Sequence, residues 1–155
     1  MKSLGRADMS VLKHIKVSVV ALLLTLGLTG LAFANDFTVS PTTIRVAPGN
    51  MVATLTVKSG GPGASLGQVR VMRWHRDGGA GRLEATRDVV ASPPALQMAP
   101  NQELTIRLVR TATRPVSGEE CYRVLVDQLP ALRQGGQMVA FTLRHSVPLC
   151  FGQPS

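Results

Sequence analysis

Two patterns of hydrophobic and polar positions divide the chain. From Val17 to about Leu31 apolar residues dominate, whereas after Asn35 they alternate with polar ones in short runs bounded by Gly, Pro, Asn and Ser. A period of two puts successive side chains on opposite faces of an extended strand, and no helical period of useful length competes with it in the second part. Seven strands are predicted, over 37–46, 51–58, 68–76, 86–90, 102–110, 120–129 and 138–151. The segment 102–110 alternates most cleanly, with Leu104, Ile106 and Leu108 set against Thr105, Arg107 and Val109. Ala47-Pro48-Gly49-Asn50, the glycine-rich 59–63, Asp77-Gly78-Gly79-Ala80-Gly81 and 130–136 are the breaks between them. Pro93 and Pro94 lack ladder donors and force an exit after the short fourth strand.

Seven strands at this spacing in about 110 residues predict an all-β fold, a seven-stranded immunoglobulin-like β-sandwich. Trp74, the only Trp, is expected in the core between the sheets. Neither an internal repeat nor a linker to a second folded unit is visible.

The first part of the chain has a different purpose. Lys2, Arg6, Lys13 and Lys16 precede the apolar stretch, and Ala32-Phe33-Ala34 follows it. A basic start, an apolar middle and a small-x-small end form a cleavable signal peptide over residues 1–34, expected to be helical. Thr25, Gly27, Thr29 and Gly30 interrupt the stretch, which falls short of the ~20 apolar residues of a membrane span. After cleavage no stable membrane insertion is expected.

Export changes how the charge is read. The 155-residue chain has 17 Lys and Arg against nine acidic residues, a formal +8, but four of those cations and one acid lie in the signal, leaving +5. Of the remaining cations only Lys58 is a lysine. The arginines are spread over most strands, and few aromatics are available to stack bases, so nucleic acid is not expected as a partner. His75 and His145 are the only neutral-pH bases left, and no nucleophile signature accompanies them, which argues against an enzyme. Together with Cys121 and Cys150 they match none of the tight ligand spacings of zinc sites, and neither a metal nor a cofactor is expected. The two cysteines meet an oxidising compartment, where they pair or remain two separate buried thiols.

Several segments in order carry a resemblance to a known family. They are Val39-Ser40-Pro41-Thr42, Gln68-Val69-Arg70 leading to Trp74, Asp88-Val89-Val90-Ala91-Ser92-Pro93-Pro94 and Met98-Ala99-Pro100-Asn101-Gln102. Ile106-Arg107-Leu108, Tyr122-Arg123 running to Gln128-Leu129-Pro130, and Ser146-Val147-Pro148 complete the series. The sequence resembles the periplasmic chaperones of the chaperone–usher pathway, which assemble pili, and the match covers residues 35–155. Family members have two immunoglobulin-like domains. The resemblance covers the first, and the second is expected to be missing from this chain.

The resemblance implies that the last strand completes fimbrial subunits lacking one of their own, a case of β-augmentation. Val139, Phe141, Leu143 and Val147 then form the apolar row that enters the subunit. Without the resemblance the same alternation reads as the core face of an edge strand. The family's two basic anchors for a subunit's terminal carboxylate map to Arg45 and to a position near Pro148, where the usual lysine is missing. Arg144 from another face, a different mode of anchoring, or weaker capture are the three ways to account for that gap. Fimbrial subunits and an outer-membrane usher are the implied partners, in the periplasm of a Gram-negative cell. The alternatives are a truncated product without function and a structural fimbrial subunit or other exported β-sandwich.

Overall fold

The computed structural model describes residues 37–76, 81–130 and 142–153. The signal expected over residues 1–34, and Val139 and Phe141 of the apolar row, lie outside them.

Among the described residues, ten strands form two open sheets packed face to face. One sheet has the order β1-β3-β8-β6, built from β1 (Phe37–Ser40), β3 (Val52–Ser59), β8 (Glu103–Arg110) and β6 (Val89–Ser92). The other runs β2-β10-β9-β4-β5, from β2 (Ile44–Val46), β10 (Arg144–Gly152), β9 (Glu119–Leu129), β4 (Ser65–His75) and β5 (Arg82–Ala85). β7 (Ala95–Met98) pairs with the start of β4. Every pairing is antiparallel except that of β2 with β10.

The sandwich and its inward rows agree with the alternation in the sequence, and each of the seven predicted strands has a counterpart, with β2, β5 and β7 as additional short strands. The segment 37–46 is two strands in different sheets, because Pro41 has no N–H to continue the ladder and the chain crosses over at that point. Around Pro93 the same happens, with β6 in one sheet and β7 in the other. β5 and β7 are four residues each, too short for a period of two to stand out.

Leu55 and Val57 of β3 and Ile106 and Leu108 of β8 face Tyr122, Val124 and Val126 of β9 and Leu149 and Phe151 of β10, all of them fully buried. Phe37 closes one end of this core, its ring lying where a Cβ on Gly67 would meet Cε2 at 2.5 Å. Trp74 is not among the core residues. On β4 the inward positions are Ser65, Gly67 and Val69, so Trp74 has the parity of the exposed Gln68 and Arg70 and lies on the outer face. Its half-buried ring is covered by the Arg123 guanidinium at 3.9 Å and flanked by Arg76 at 5.5 Å. Among the aromatics of the core, Tyr122 and Phe151 pack edge to face with centroids 6.0 Å apart.

Candidate functional site

The distinctive feature of β10 is that only one of its edges is fully paired. β9 lies along its whole length, from Arg144 opposite Asp127 to Gly152 opposite Glu119. β2 covers the other edge only from Leu149 to Phe151. Among the described residues, nothing pairs with that edge between Arg144 and Pro148.

One hydrogen bond sets the phase of the ladder. The Gln128 N–H donates to the Leu143 carbonyl at 2.9 Å, so Leu143 and every second residue after it turn their peptide groups toward β9. Arg144 and Ser146 then present both N–H and C=O on the open edge. Pro148 shares their phase, so its missing N–H is on the open side and no bond to β9 is lost. An open edge with polar residues and a proline is a blunted but usable template for another strand.

The apolar row expected on this strand is split by the domain's own core. Val147 is 4% exposed and packs inside the sandwich with Leu149 and Phe151, so its role in this structure is structural. Leu143 has the same parity but lies beyond the end of the core and is 41% exposed. His145 lies between them, and its buried Nε2 has no hydrogen-bond partner among the described residues. His75, at the far end of β4, pairs with Glu84 at 3.0 Å on the surface.

Arg45 is on β2, opposite Cys150, and its side chain is 65% exposed. It is not a lone solvated cation. Its Nη1 donates to Glu119 Oε1 at 2.9 Å, while Arg76 bonds the other oxygen of the same carboxylate. The Arg76 hydrogen bond is the main reason the Glu119 carboxyl sits below the usual carboxylate range, with Arg45 adding to it. Arg144 is engaged elsewhere. It pairs with Asp127, which also holds Arg70 at 2.6 Å. Burial by itself raises the Asp127 carboxyl, but the hydrogen bonds from Arg144 and Arg70 outweigh it and keep the group below its usual range. Glu119 and Asp127 are eight residues apart on β9, roughly 27 Å along the strand, so Arg144 cannot act together with Arg45.

Cys121 and Cys150 face each other in register on the outer face, with Cα atoms 4.2 Å apart, and their sulfurs form a disulfide. The sulfurs and a Glu119 oxygen lie within 4.8 Å of one another. The thiols are spent on each other, however, and the carboxylate on two guanidinium groups.

Sequence reasoning missed Glu119 and Arg76. The only trace of them is positional, an acidic pair at the start of one strand and an arginine at the end of another.

Against known proteins, residues 36–155 match the family model described as the pili and flagellar-assembly chaperone, PapD N-terminal domain. No protein with a curated description matches the sequence. Among solved structures, the chain is similar to the CsuC–CsuE chaperone–tip adhesion subunit pre-assembly complex from archaic chaperone–usher Csu pili of Acinetobacter baumannii. The identity is 24% and the TM-score 0.65, over 76% of this chain and 57% of that one. It is similar also to the Salmonella enterica complex of SafA pilin with the SafB chaperone, at 21% identity and a TM-score of 0.62, covering 78% and 55% of the two chains. The E. coli chaperone DraB matches at 21% identity with a TM-score of 0.59, over 77% of this chain and 55% of its own. The chain therefore spans less than three fifths of the length of these solved structures.

Proposed function

The chain belongs to the pilus and flagellar-assembly chaperone family, matching its N-terminal domain over residues 36–155, and from this we propose that it is a periplasmic chaperone domain that binds fimbrial subunits by lending them the outer part of its last strand. The observation that carries this reading is the half-open edge of β10. Arg144 to Pro148 offer unpaired backbone groups, and Leu143 carries the inward row past the end of the domain's own core. Main-chain hydrogen bonds would supply the affinity of such an added strand, and alternate side chains its specificity. Val139 and Phe141 share the sequence parity of Leu143, whereas Val147 keeps the strand rooted in its own sandwich.

The A. baumannii and S. enterica chaperones of the same fold stand in complexes with a tip subunit and a pilin, which supports the same class of partner for this chain. An outer-membrane usher would receive the loaded domain. Its work is binding, with no chemical step. A structural subunit would need its own last-strand groove vacant, but here β10 fills that place between β2 and β9.

Leu143→Glu tests the reading. Co-expressed in the periplasm with a candidate fimbrial subunit, the variant should fold and lose the subunit on co-purification. Recovery of the complex at the wild-type level would overturn strand donation.

A further inference from the structure

One side chain on β10 is at odds with its surroundings. His145 has the parity of Leu143 and Val147 and lies opposite Val126 of β9, so its half-buried ring is bordered along and across the sheet by apolar residues. Its Nε2 is buried and has no hydrogen-bond partner among the described residues. The next polar side chain on that face of β9 is Gln128, whose Oε1 is engaged with the Phe37 N–H at 3.1 Å. A buried polar atom left unpaired costs more than a typical hydrogen bond contributes, and a leucine would fill the same place without that cost.

The position gives the ring a second set of neighbours. At His145 the inward row leaves the domain's own core, between the 4% exposed Val147 and the 41% exposed Leu143. The residue also lies within Arg144 to Pro148, where the outer edge of β10 is open. A strand added along that edge sets one residue beside His145 on the same face, with Cβ atoms ~5 Å apart. That neighbour is within reach of Nε2.

We infer that His145 is a specificity-determining residue, whose Nε2 pairs with an uncharged hydroxyl or carboxamide side chain on the subunit strand that joins β10. The inference rests on strand donation as the mode of binding and adds one chemical feature of the partner. A hydroxyl or a carboxamide both donates and accepts, so either fits the neutral imidazole whichever nitrogen carries its proton. A charged partner would have to be stripped of water beside Val126 and Val147, at much higher cost. A subunit with only apolar groups at that place would leave Nε2 buried and unpaired, so the site discriminates against it more sharply than an apolar contact could.

The experiment measures two properties of His145→Leu and His145→Gln. One is the urea midpoint of the purified exported chain. The other is affinity for the fimbrial subunit that the wild-type chain retains on co-purification, read by competition with tagged wild-type chain. Alone, His145→Leu should unfold at or above the wild-type midpoint, because the unpaired nitrogen is gone. In the complex it should weaken binding about tenfold. His145→Gln, whose amide nitrogen can take the place of Nε2, should restore most of the affinity. Alanine substitution of each Ser, Thr, Asn and Gln on the subunit's groove strands should reveal one that costs affinity against wild type and nothing further against His145→Leu. Wild-type affinity in His145→Leu, a midpoint lowered in step with binding, no rescue by glutamine, or additive alanine costs at every position would each overturn the assignment. Leu143→Glu separates this outcome from the reading beneath it. If Leu143→Glu loses the subunit while His145→Leu keeps it, the role of His145 falls alone; if Leu143→Glu keeps the subunit, strand donation falls with it.

Discussion

The Arg110 guanidinium, with none of its side chain exposed, crosses from one sheet to hold Glu120 of the other, Nη2 to Oε2 at 3.0 Å and Nε to Oε2 at 3.2 Å. Arg110 is the last member of the inward row Leu104, Ile106, Leu108, and Glu120 is the first of the row Tyr122, Val124, Val126. Both rows therefore end in a charge. The Tyr122 hydroxyl donates to Glu120 at 3.1 Å and Arg110 donates to the Ala112 carbonyl at 2.8 Å, so the pair is satisfied on several sides. Breaking it from one side leaves a buried charge without its partner. Glu120→Leu should cost about 3–5 kcal/mol in urea unfolding, and the double variant Arg110→Met with Glu120→Leu should recover much of that loss. A loss below 1 kcal/mol for the single variant would show that the pair does not close this end of the core.

Asp127 gives the domain a pH dependence of known sign. Its carboxyl is lowered in the folded chain from the ordinary 3.8, so the folded state binds fewer protons than the unfolded one. The resulting stability is complete above about pH 5 and is lost progressively as pH falls through 3.8 and past the lowered value. Arg70 and Arg144 are both partly exposed, so the effect is modest. Asp127→Asn should cost about 1–2 kcal/mol at pH 7, and the difference from wild type should shrink as pH falls below 3.8. A constant difference across that range would mean that the charge of Asp127 is not what matters.

The Cys121–Cys150 bridge joins residues 29 apart in sequence, on neighbouring strands whose connecting segment it closes. Tethering a loop of that length in the unfolded chain is worth about 3–4 kcal/mol in the chain-entropy model. Alkylation of the exported chain without reductant should block no thiols, and the variant with both cysteines changed to Ala should be less stable by about that amount. Two blocked thiols per chain would remove the bridge from the account.

The sequence made the sandwich and most of its inward rows legible, because alternation is a local signal. Leu104, Ile106 and Leu108 show it without help from the rest of the fold. Changes of sheet were harder to see, since Pro41 interrupts a run that is otherwise continuous in character. Trp74 was misplaced because its residue type suggested the core while its parity on β4 put it outside. At the site, Arg45 was found by position in a motif, but Glu119 and Arg76 were not. Their meeting depends on how the start of β9 and the ends of β2, β4 and β10 lie relative to one another, which no short-range pattern encodes. The split of the last strand was hidden for the same reason. Leu143 and Val147 look equivalent in a period-2 row, and only the extent of the facing sheet separates them.

That separation leads to an opposite pair of outcomes on a single strand. Val147 is 4% exposed and packed between the sheets, so Val147→Ala removes two buried methyl groups and should cost about 2–3 kcal/mol in stability. Leu143 is 41% exposed and lies beyond the core, so Leu143→Ala should stay within about 0.5 kcal/mol of wild type. For subunit binding the order should reverse. Val147→Ala keeps the open edge and the protruding row, and once folded it should retain the subunit. Leu143→Ala removes a side chain destined for the subunit's groove and should weaken the complex several-fold. Urea midpoints and subunit pull-down on the same two purified variants decide the matter. If both properties fell together in Val147→Ala and neither changed in Leu143→Ala, β10 would be an ordinary core strand and the donor role would have to lie elsewhere.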